Sequence, residues 1–241
     1  MLLYYLGGKT VRIKRRGSPH VWQGFDPHTL NKIDLSKISD FMNLLITNFV
    51  ECSTHELIAR CNTEEQVTYA SSEIGEHYKL LQALAKSKPG AVVTEIGTSS
   101  GMSSIQFLTG GAQVNTFDLL EWELFPNTVL NRADFLSSKI VQHIADLSDH
   151  EIFLSFQNLL TNSDLIFIDG PKDGKFEKTF ISNLLSLDLK KGCIIVCDDI
   201  YFSSMIKLWE SIKLPKFDIS VIGHATGTGI IFPNSFFAQQ V

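Results

Sequence analysis

The sequence predicts an α/β fold: a mostly parallel sheet with helices on both faces, a C-terminal antiparallel hairpin, and an N-terminal extension. Three observations predict it. From residue 76 onward, short apolar runs alternate with helical segments, the pattern of a parallel sheet joined by crossover helices. Short apolar strands alternating with helices argue that both faces of the sheet are covered. The last two runs, FDISVIG (217–223) and GIIF (229–232), are too close together to hold a crossover helix and must pair antiparallel. Residues 1–75 lack this regularity, which divides the chain into an extension over 1–75 and the α/β domain over 76–241.

Taken in order, LLYYLGGKTVRIK reads as a hairpin turning at Gly7-Gly8. Apolar residues at 35, 38, 41, 42, 45, 46 and 49 form a helical stripe. Ser53 and Glu56 have capping-box spacing for a second helix. HYKLLQALAKSK is helical and is broken by Pro89-Gly90, after which AVVTEI (91–96) is the first buried strand. SSIQFL is a helix, QVNTFD (113–118) a strand, PNTVLNRADFL a helix and KIVQHIAD (139–146) a strand. Ser148 and Glu151 have capping spacing for EIFLSFQNLL. LIFID (165–169), the helix KFEKTFISNLLSL, GCIIVCD (192–198) and the helix SSMIKLWESI complete the alternation.

The chain has 241 residues, 44% hydrophobic and 20% charged, with a net charge of −5. An acidic chain is poorly suited to a phosphate backbone, so nucleic acid is excluded as a partner. Lys14-Arg15-Arg16 is the one basic cluster and reads as a solvated arm. The N-terminal apolar stretch is short, its basic residues follow rather than precede it, and no run is long enough to span a bilayer. A cytoplasmic protein without membrane contact is the expectation. Cys52, Cys61, Cys193 and Cys197 form no C-x-x-C pair, so buried free thiols are expected rather than a zinc site.

Chemistry concentrates at strand ends. After the first buried strand, Glu95-Ile-Gly-Thr-Ser-Ser-Gly-Met-Ser103 gives G-x-x-x-G, with glycines at 97 and 101. Position 99 is serine, so the G-x-G-x-x-G dinucleotide fingerprint is absent and a nicotinamide enzyme is disfavoured. A G-x-x-x-G turn still lets a ligand approach the backbone near helix N–H groups. Asp118 ends the next strand, where a carboxylate can accept both hydroxyls of a ribose.

This turn and its acid resemble motif I and its partner in class I S-adenosylmethionine-dependent methyltransferases. Within these the chain is similar to small-molecule O-methyltransferases of the catechol O-methyltransferase type, over roughly residues 70–232. The resemblance implies a Rossmann-like methyltransferase fold. It implies that Gly97, Gly101 and Ser103 line the methionine end of S-adenosylmethionine, with Thr98 and Ser99 in the same turn. It also implies that Glu95 orients the turn, Asp118 binds ribose, and Asp146 and Leu147 contact adenine.

Asp169 ends the fourth strand of the domain, and Asp198 and Asp199 end the fifth. In a parallel sheet these acids open onto one rim, where a divalent cation would relieve their repulsion. Oxygen ligands suit Mg²⁺, with Ca²⁺ and Mn²⁺ as the alternatives. Catechol-type enzymes carry D-x-x-K and D-N at these places. This chain has Asp169-Gly-Pro-Lys172, matching in spacing, and Asp198-Asp199, with Asp in place of Asn. Asp169 also borders the cofactor. Lys172 is the candidate base, provided its pKa is lowered by desolvation and the neighbouring cation, with Lys175 as a substitute. His20, His28 and His224 offer a metal-free base, and Trp22, Trp122 and Trp209 could wall an aromatic acceptor.

The expected reaction is methyl transfer from S-adenosylmethionine to a hydroxyl of a small molecule, assisted by a divalent cation. The D-G-P-K sequence and the lack of any Pro-Pro argue against methylation of a nucleic-acid base. The open alternatives are a metal-independent methyltransferase with a His base and a non-catalytic S-adenosylmethionine-binding protein. The extension is expected to act as a lid or to form a homo-oligomer contact.

Overall fold

A computed structural model of the chain describes residues 3–6, 9–12, 34–71 and 75–237. Lys14-Arg15-Arg16, His20, Trp22 and His28 lie outside the described residues. Each strand run read from the sequence contains a strand, but FDISVIG (217–223) is one only at its start, since that strand ends at Asp218 and 219–223 form a turn. β1 (Leu3–Leu6) and β2 (Lys9–Arg12) pair antiparallel as a separate two-stranded ribbon. The main sheet contains β3 (Val92–Ile96), β4 (Gln113–Asp118), β5 (Ile140–Ile144), β6 (Leu165–Ile168), β7 (Ile194–Asp198), β8 (Lys216–Asp218) and β9 (Thr228–Ile231). Its order is β5-β4-β3-β6-β7-β9-β8. The first five of these pair in parallel, while β9 is antiparallel to both β7 and β8. The chain leaves β3 for β4 on one side and returns to pair β6 on the other. The switch point, where α/β sheets bind ligands, is therefore between the carboxyl ends of β3 and β6.

Helices cover both faces. α1 (Leu35–Glu51) buries Ile38, Phe41, Leu45 and Phe49, four positions of the predicted stripe, and Asp34 caps it by accepting from Ser36 N at 3.1 Å. α2 (His55–Arg60), α3 (Glu64–Ala70), α4 (His77–Lys86) and α5 (Met102–Thr109) follow. After β4 come α6 (Arg132–Leu136), α7 (His150–Ser155), α8 (Gln157–Thr161), α9 (Phe176–Leu185) and α10 (Ser203–Ser211). One apolar cluster joins α1, α2, α4 and α5 to one sheet face through Val93, Leu165, Phe167 and Val196. A second joins α7–α10 to the other face through Ile166, Ile168, Ile195 and Cys197. Because Phe41, Leu45 and Leu57 share the first cluster with the strands, a boundary at 75/76 runs through one core.

Local details depart from the sequence reading. Ser53 and Glu56 make no capping box. Ser53 N–H donates to Gln82 Oε1 at 2.8 Å, and Glu56 pairs with Arg60 at 3.6 Å. Asp149, not Ser148, caps α7, accepting from Glu151 N at 2.9 Å and Ile152 N at 3.1 Å. Ser148 is held instead by Asp146, which accepts from both its N–H and its hydroxyl. Only the end of 126–136 is helical. The preceding segment gives its backbone groups to other partners, with Val129 N donating to Ser100 O at 2.9 Å and Asn62 Nδ2 to Thr128 O at 2.8 Å. The four cysteines are free, three buried and Cys61 half-buried, and burial pushes Cys193 and Cys197 up to about 12. No helix among the described residues is long and apolar enough to cross a membrane.

Candidate cofactor pocket and carboxylate centre

A cavity of about 820 Å³ opens at the switch point, lined by Gly97, Ser99, Asp118, Asp146, Leu147, Asp169, Lys172 and apolar neighbours including Ile96, Phe117 and Phe176. Seven sequence-predicted site residues are thus brought to one wall. Glu95, Thr98, Gly101 and Ser103 do not line it but shape it from behind. Gly97 has φ +104°, and a Cβ there would stand 2.3 Å from Asp169 O, so glycine is required where the ends of β3 and β6 touch. Gly101, at φ +81°, is pressed against Leu130, whose Cγ would lie 2.3 Å from an added Cβ.

Asp118 holds this turn. Its Oδ2 accepts from Thr98 N and Ser99 N, both at 2.9 Å, and its Oδ1 from Leu119 N at 2.7 Å and Leu120 N at 3.3 Å. Those four bonds fill the carboxylate's acceptor positions. Behind the turn, Thr98 Oγ1 is 2.8 Å from Thr116 Oγ1. Glu95 is fully buried and accepts from Ser104 Oγ beside the Ser103 and Thr116 hydroxyls; burial pushes its pKa up to about 7. Asp146 is exposed and Leu147 buried.

Next to the cavity, ligand oxygens of Asp169, Asp198 and Asp199 lie within 4.8 Å of one another. Lys172 enters this group as a cation, its Nζ against Asp169 and 2.6 Å from Asp199. Burial disfavours the ammonium, but the three carboxylates outweigh it and hold its pKa above the ordinary lysine value. In this arrangement the lysine is therefore protonated, and the lowered pKa that the sequence argument required is not met. Burial, opposed by Lys172, pushes Asp169 up to about 6, while burial and Asp198 raise Asp199. Asp198 is held below the carboxylate range because His224, His77 and Lys172 overcome its burial.

Two clamps aim Lys172. The buried Glu177 accepts from Lys172 N at 2.7 Å and Gly174 N at 2.9 Å, and the Ser204 hydroxyl donates to Lys172 O. Lys172 sits at φ 59° and Asp199 at φ 57°, left-handed conformations that cost a side-chain-bearing residue about 1–3 kcal/mol. Of the four non-glycine residues with positive φ among the described residues, three (Ser99, Lys172 and Asp199) belong to this site. The sequence reading missed Glu177, which looks like an ordinary first-turn acid of α9.

His224 is not a free base. Its Nε2 lies 2.8 Å from Asp198 Oδ1, and its Nδ1 bonds the Thr226 hydroxyl. His77, which the sequence reading also missed, lies behind it with Nδ1 3.7 Å from Asp198 Oδ1. Lys175 also lines the cavity, but it is Lys172 that pairs with the carboxylates of the centre; the Lys175 backbone N–H donates to Asp173 at 2.8 Å at the start of α9. Trp122 stacks on Phe135 at 5.2 Å, and Trp209 packs against Gly229, so both serve packing.

Residues 94–200 match a family model described as "Methyltransferase domain". Among solved structures, the MycE methyltransferase from the mycinamycin biosynthetic pathway, in complex with Mg and SAH, is 18% identical with a TM-score of 0.38, over 48% of this chain and 29% of that one. The chain thus spans under a third of MycE's length. SAH-bound PaMTH1 from Podospora anserina is 15% identical over 86% of this chain and 96% of that one, with a TM-score of 0.45. The O-methyltransferase TomG from Streptomyces achromogenes, in complex with SAM, is 18% identical over 65% and 79%, also with a TM-score of 0.45. No curated protein sequence matches the chain. The match over residues 94–200 takes in the glycine turn, Asp118, Asp169, Lys172, Asp198 and Asp199, so the cavity and the carboxylate centre both lie in the part of the chain that is similar to a methyltransferase domain.

Proposed function

We propose that the protein methylates a hydroxyl group of a small molecule, with a divalent cation held by Asp169, Asp198 and Asp199. The observation that carries this reading is the three-carboxylate centre sharing Asp169 and Lys172 with the cofactor cavity. Methyl transfer is an in-line displacement and needs an oxygen nucleophile held close to the sulfonium methyl. A group that binds an acceptor hydroxyl beside the cavity meets that need.

The donor set fits a hard cation. Oxygens within 4.8 Å of one another can share an ion at metal–oxygen distances of about 2.0–2.6 Å. Three buried or half-buried acids outnumber the one lysine among them, which leaves negative charge for an ion to neutralise. When bound, such an ion lowers the pKa of the acceptor hydroxyl. Lys172 then serves as proton acceptor at Nζ, since the carboxylate charge that keeps it protonated is neutralised. On the cofactor side, Gly97 and Ser99 face the methionine end, and Asp146 and Leu147 face the adenine. Asp118 holds the turn, and its weakest bond, to Leu120 N at 3.3 Å, is the one a ribose hydroxyl would displace.

The test incubates the full chain with S-adenosylmethionine, Mg²⁺ and a panel of phenols and sugar-bearing small molecules, and follows S-adenosylhomocysteine release. Turnover on a hydroxyl acceptor that stops with EDTA and returns with Mg²⁺ or Mn²⁺ supports the reading. Turnover unaffected by EDTA would remove the cation from it.

A further inference from the structure

Asp198 and Asp199 are adjacent at the end of β7, yet they need different supports to face one centre. Asp198 ends a strand, whereas Asp199 has turned left-handed. Both carboxylates meet residues of one short segment, the connection between β8 and β9. His224 Nε2 lies 2.8 Å from Asp198 Oδ1, the His224 Nδ1 bonds the Thr226 hydroxyl, and that hydroxyl favours the ionised form of Asp199. An ionised carboxylate only accepts, so the ring donates to Asp198. The result is a chain Asp198–His224–Thr226 that starts at the last residue of β7 and acts on the residue after it.

The connection is itself anchored. Glu76 N donates to Gly223 O at 2.8 Å, and Gly75 forms an isolated β-bridge with His224. A Cβ on Gly75 would lie 2.6 Å from His224 Cα, so the start of α4 grips the segment at a position where glycine is needed. His77 packs edge-on against the His224 ring at 4.4 Å between centroids. Tyr201 N donates to Thr226 O at 2.9 Å and Ile200 N to Gly227 O at 3.2 Å, which fixes the segment from the β7 side, and Gly227 N closes it on His224 O at 3.0 Å.

We propose that His224 and Thr226 are positioning residues that set the spacing of the Asp198 and Asp199 carboxylates, and thereby the affinity of the centre for a divalent cation. This rests on the cation reading above. It assigns to the C-terminal hairpin a role that the strand-end motifs do not contain. Groups that orient metal ligands in this way change affinity by about 10–100-fold when removed.

The test measures Mn²⁺ binding to the full chain by calorimetry and by the Mn²⁺ paramagnetic resonance signal, with S-adenosylhomocysteine binding as the measure of an intact fold. His224→Leu and Thr226→Val remove the donors with little change of volume. Each is expected to weaken Mn²⁺ binding tenfold or more while S-adenosylhomocysteine affinity stays within threefold. His224→Gln and Thr226→Ser, which restore a donor, are expected to bind Mn²⁺ within threefold of the wild type. If the wild type binds Mn²⁺ and His224→Leu and Thr226→Val bind it equally well, the two residues have no positioning role. If the conservative variants fall as far as the others, the segment acts by packing alone and the proposal fails. If the wild type itself binds no Mn²⁺, the cation reading falls and takes this inference with it.

Discussion

Lys172 occupies a left-handed turn with its ammonium between two carboxylates, so its substitution separates charge from proton transfer. Lys172→Met should lower turnover about 10²–10⁴-fold, the range for losing an acid–base group. Lys172→Arg keeps a cation that cannot release a proton and should be nearly as inactive. Full activity of the arginine variant would show that the residue supplies only charge. Glu95 yields a pH prediction at the same scale. Burial raises its folded pKa from 4.5 to about 7, so the folded state holds an extra proton between those values. Its contribution to stability is greatest below pH 4.5, declines as pH rises toward 7 and is lost above it. The total is on the order of 3 kcal/mol. Glu95→Gln should flatten that slope in urea titrations run between pH 5 and 8; an unchanged slope would mean that Glu95 is already ionised at pH 5. The three acids of the centre were legible because a carboxylate at the end of a buried strand has few other uses. His77 and Glu177 were not, because a histidine or glutamate at the start of a helix reads as ordinary helix chemistry.

At the scale of elements, the segment between β4 and α6 is held by helices far away in sequence. Arg60 of α2 forks onto Asp134 at 2.8 and 3.0 Å, Gln66 of α3 donates to Asn127 O at 2.5 Å, and the segment in turn bonds Ser100 behind the glycine turn. The same Asp134 closes the capping box with Asn131. Arg60→Leu leaves Asp134 without its ion pair but still capping α6, so a loss of about 2–3 kcal/mol is expected in chemical denaturation. S-adenosylhomocysteine binding should weaken with it, and unaltered binding would disconnect α2 from the turn. The sequence reading took 126–136 for one helix because its apolar spacing resembles one. Periodicity could not reveal that the carbonyls of 127 and 128 are taken by side chains from α3 and the residues before it. The turn over 170–175 follows the same logic: Glu177→Ala frees two N–H groups and should lower turnover more than S-adenosylhomocysteine affinity.

For the molecule as a whole, two apolar clusters sit on opposite faces of one sheet, and the N-terminal helices belong to the first. Phe41 packs edge-on against Phe232 and Phe236 at 5.9 and 6.1 Å, tying α1 to the end of β9. Phe41→Ala should cost about 3–5 kcal/mol. Far-UV circular dichroism and tryptophan fluorescence should report one coincident transition, and a separate early transition would show that α1 unfolds alone. The central strands β3, β6 and β7 were legible because buried strands leave unbroken apolar runs, whereas β8 was read too long because a strand at the sheet edge leaves no such run. The shared core was not, because an amphipathic helix shows that it has a buried face but not what covers it. The contact of Gly97 with the Asp169 backbone carries one consequence further. In the proposed reaction, the turn assigned to the methyl donor and the turn carrying the acid assigned to the cation meet with no side chain between them. Any coupling between ligands at the two places is reciprocal, so a factor that one adds to the other's affinity is returned in equal measure. Steady-state kinetics should follow a sequential pattern rather than a ping-pong one, with the spent donor as the last product to leave.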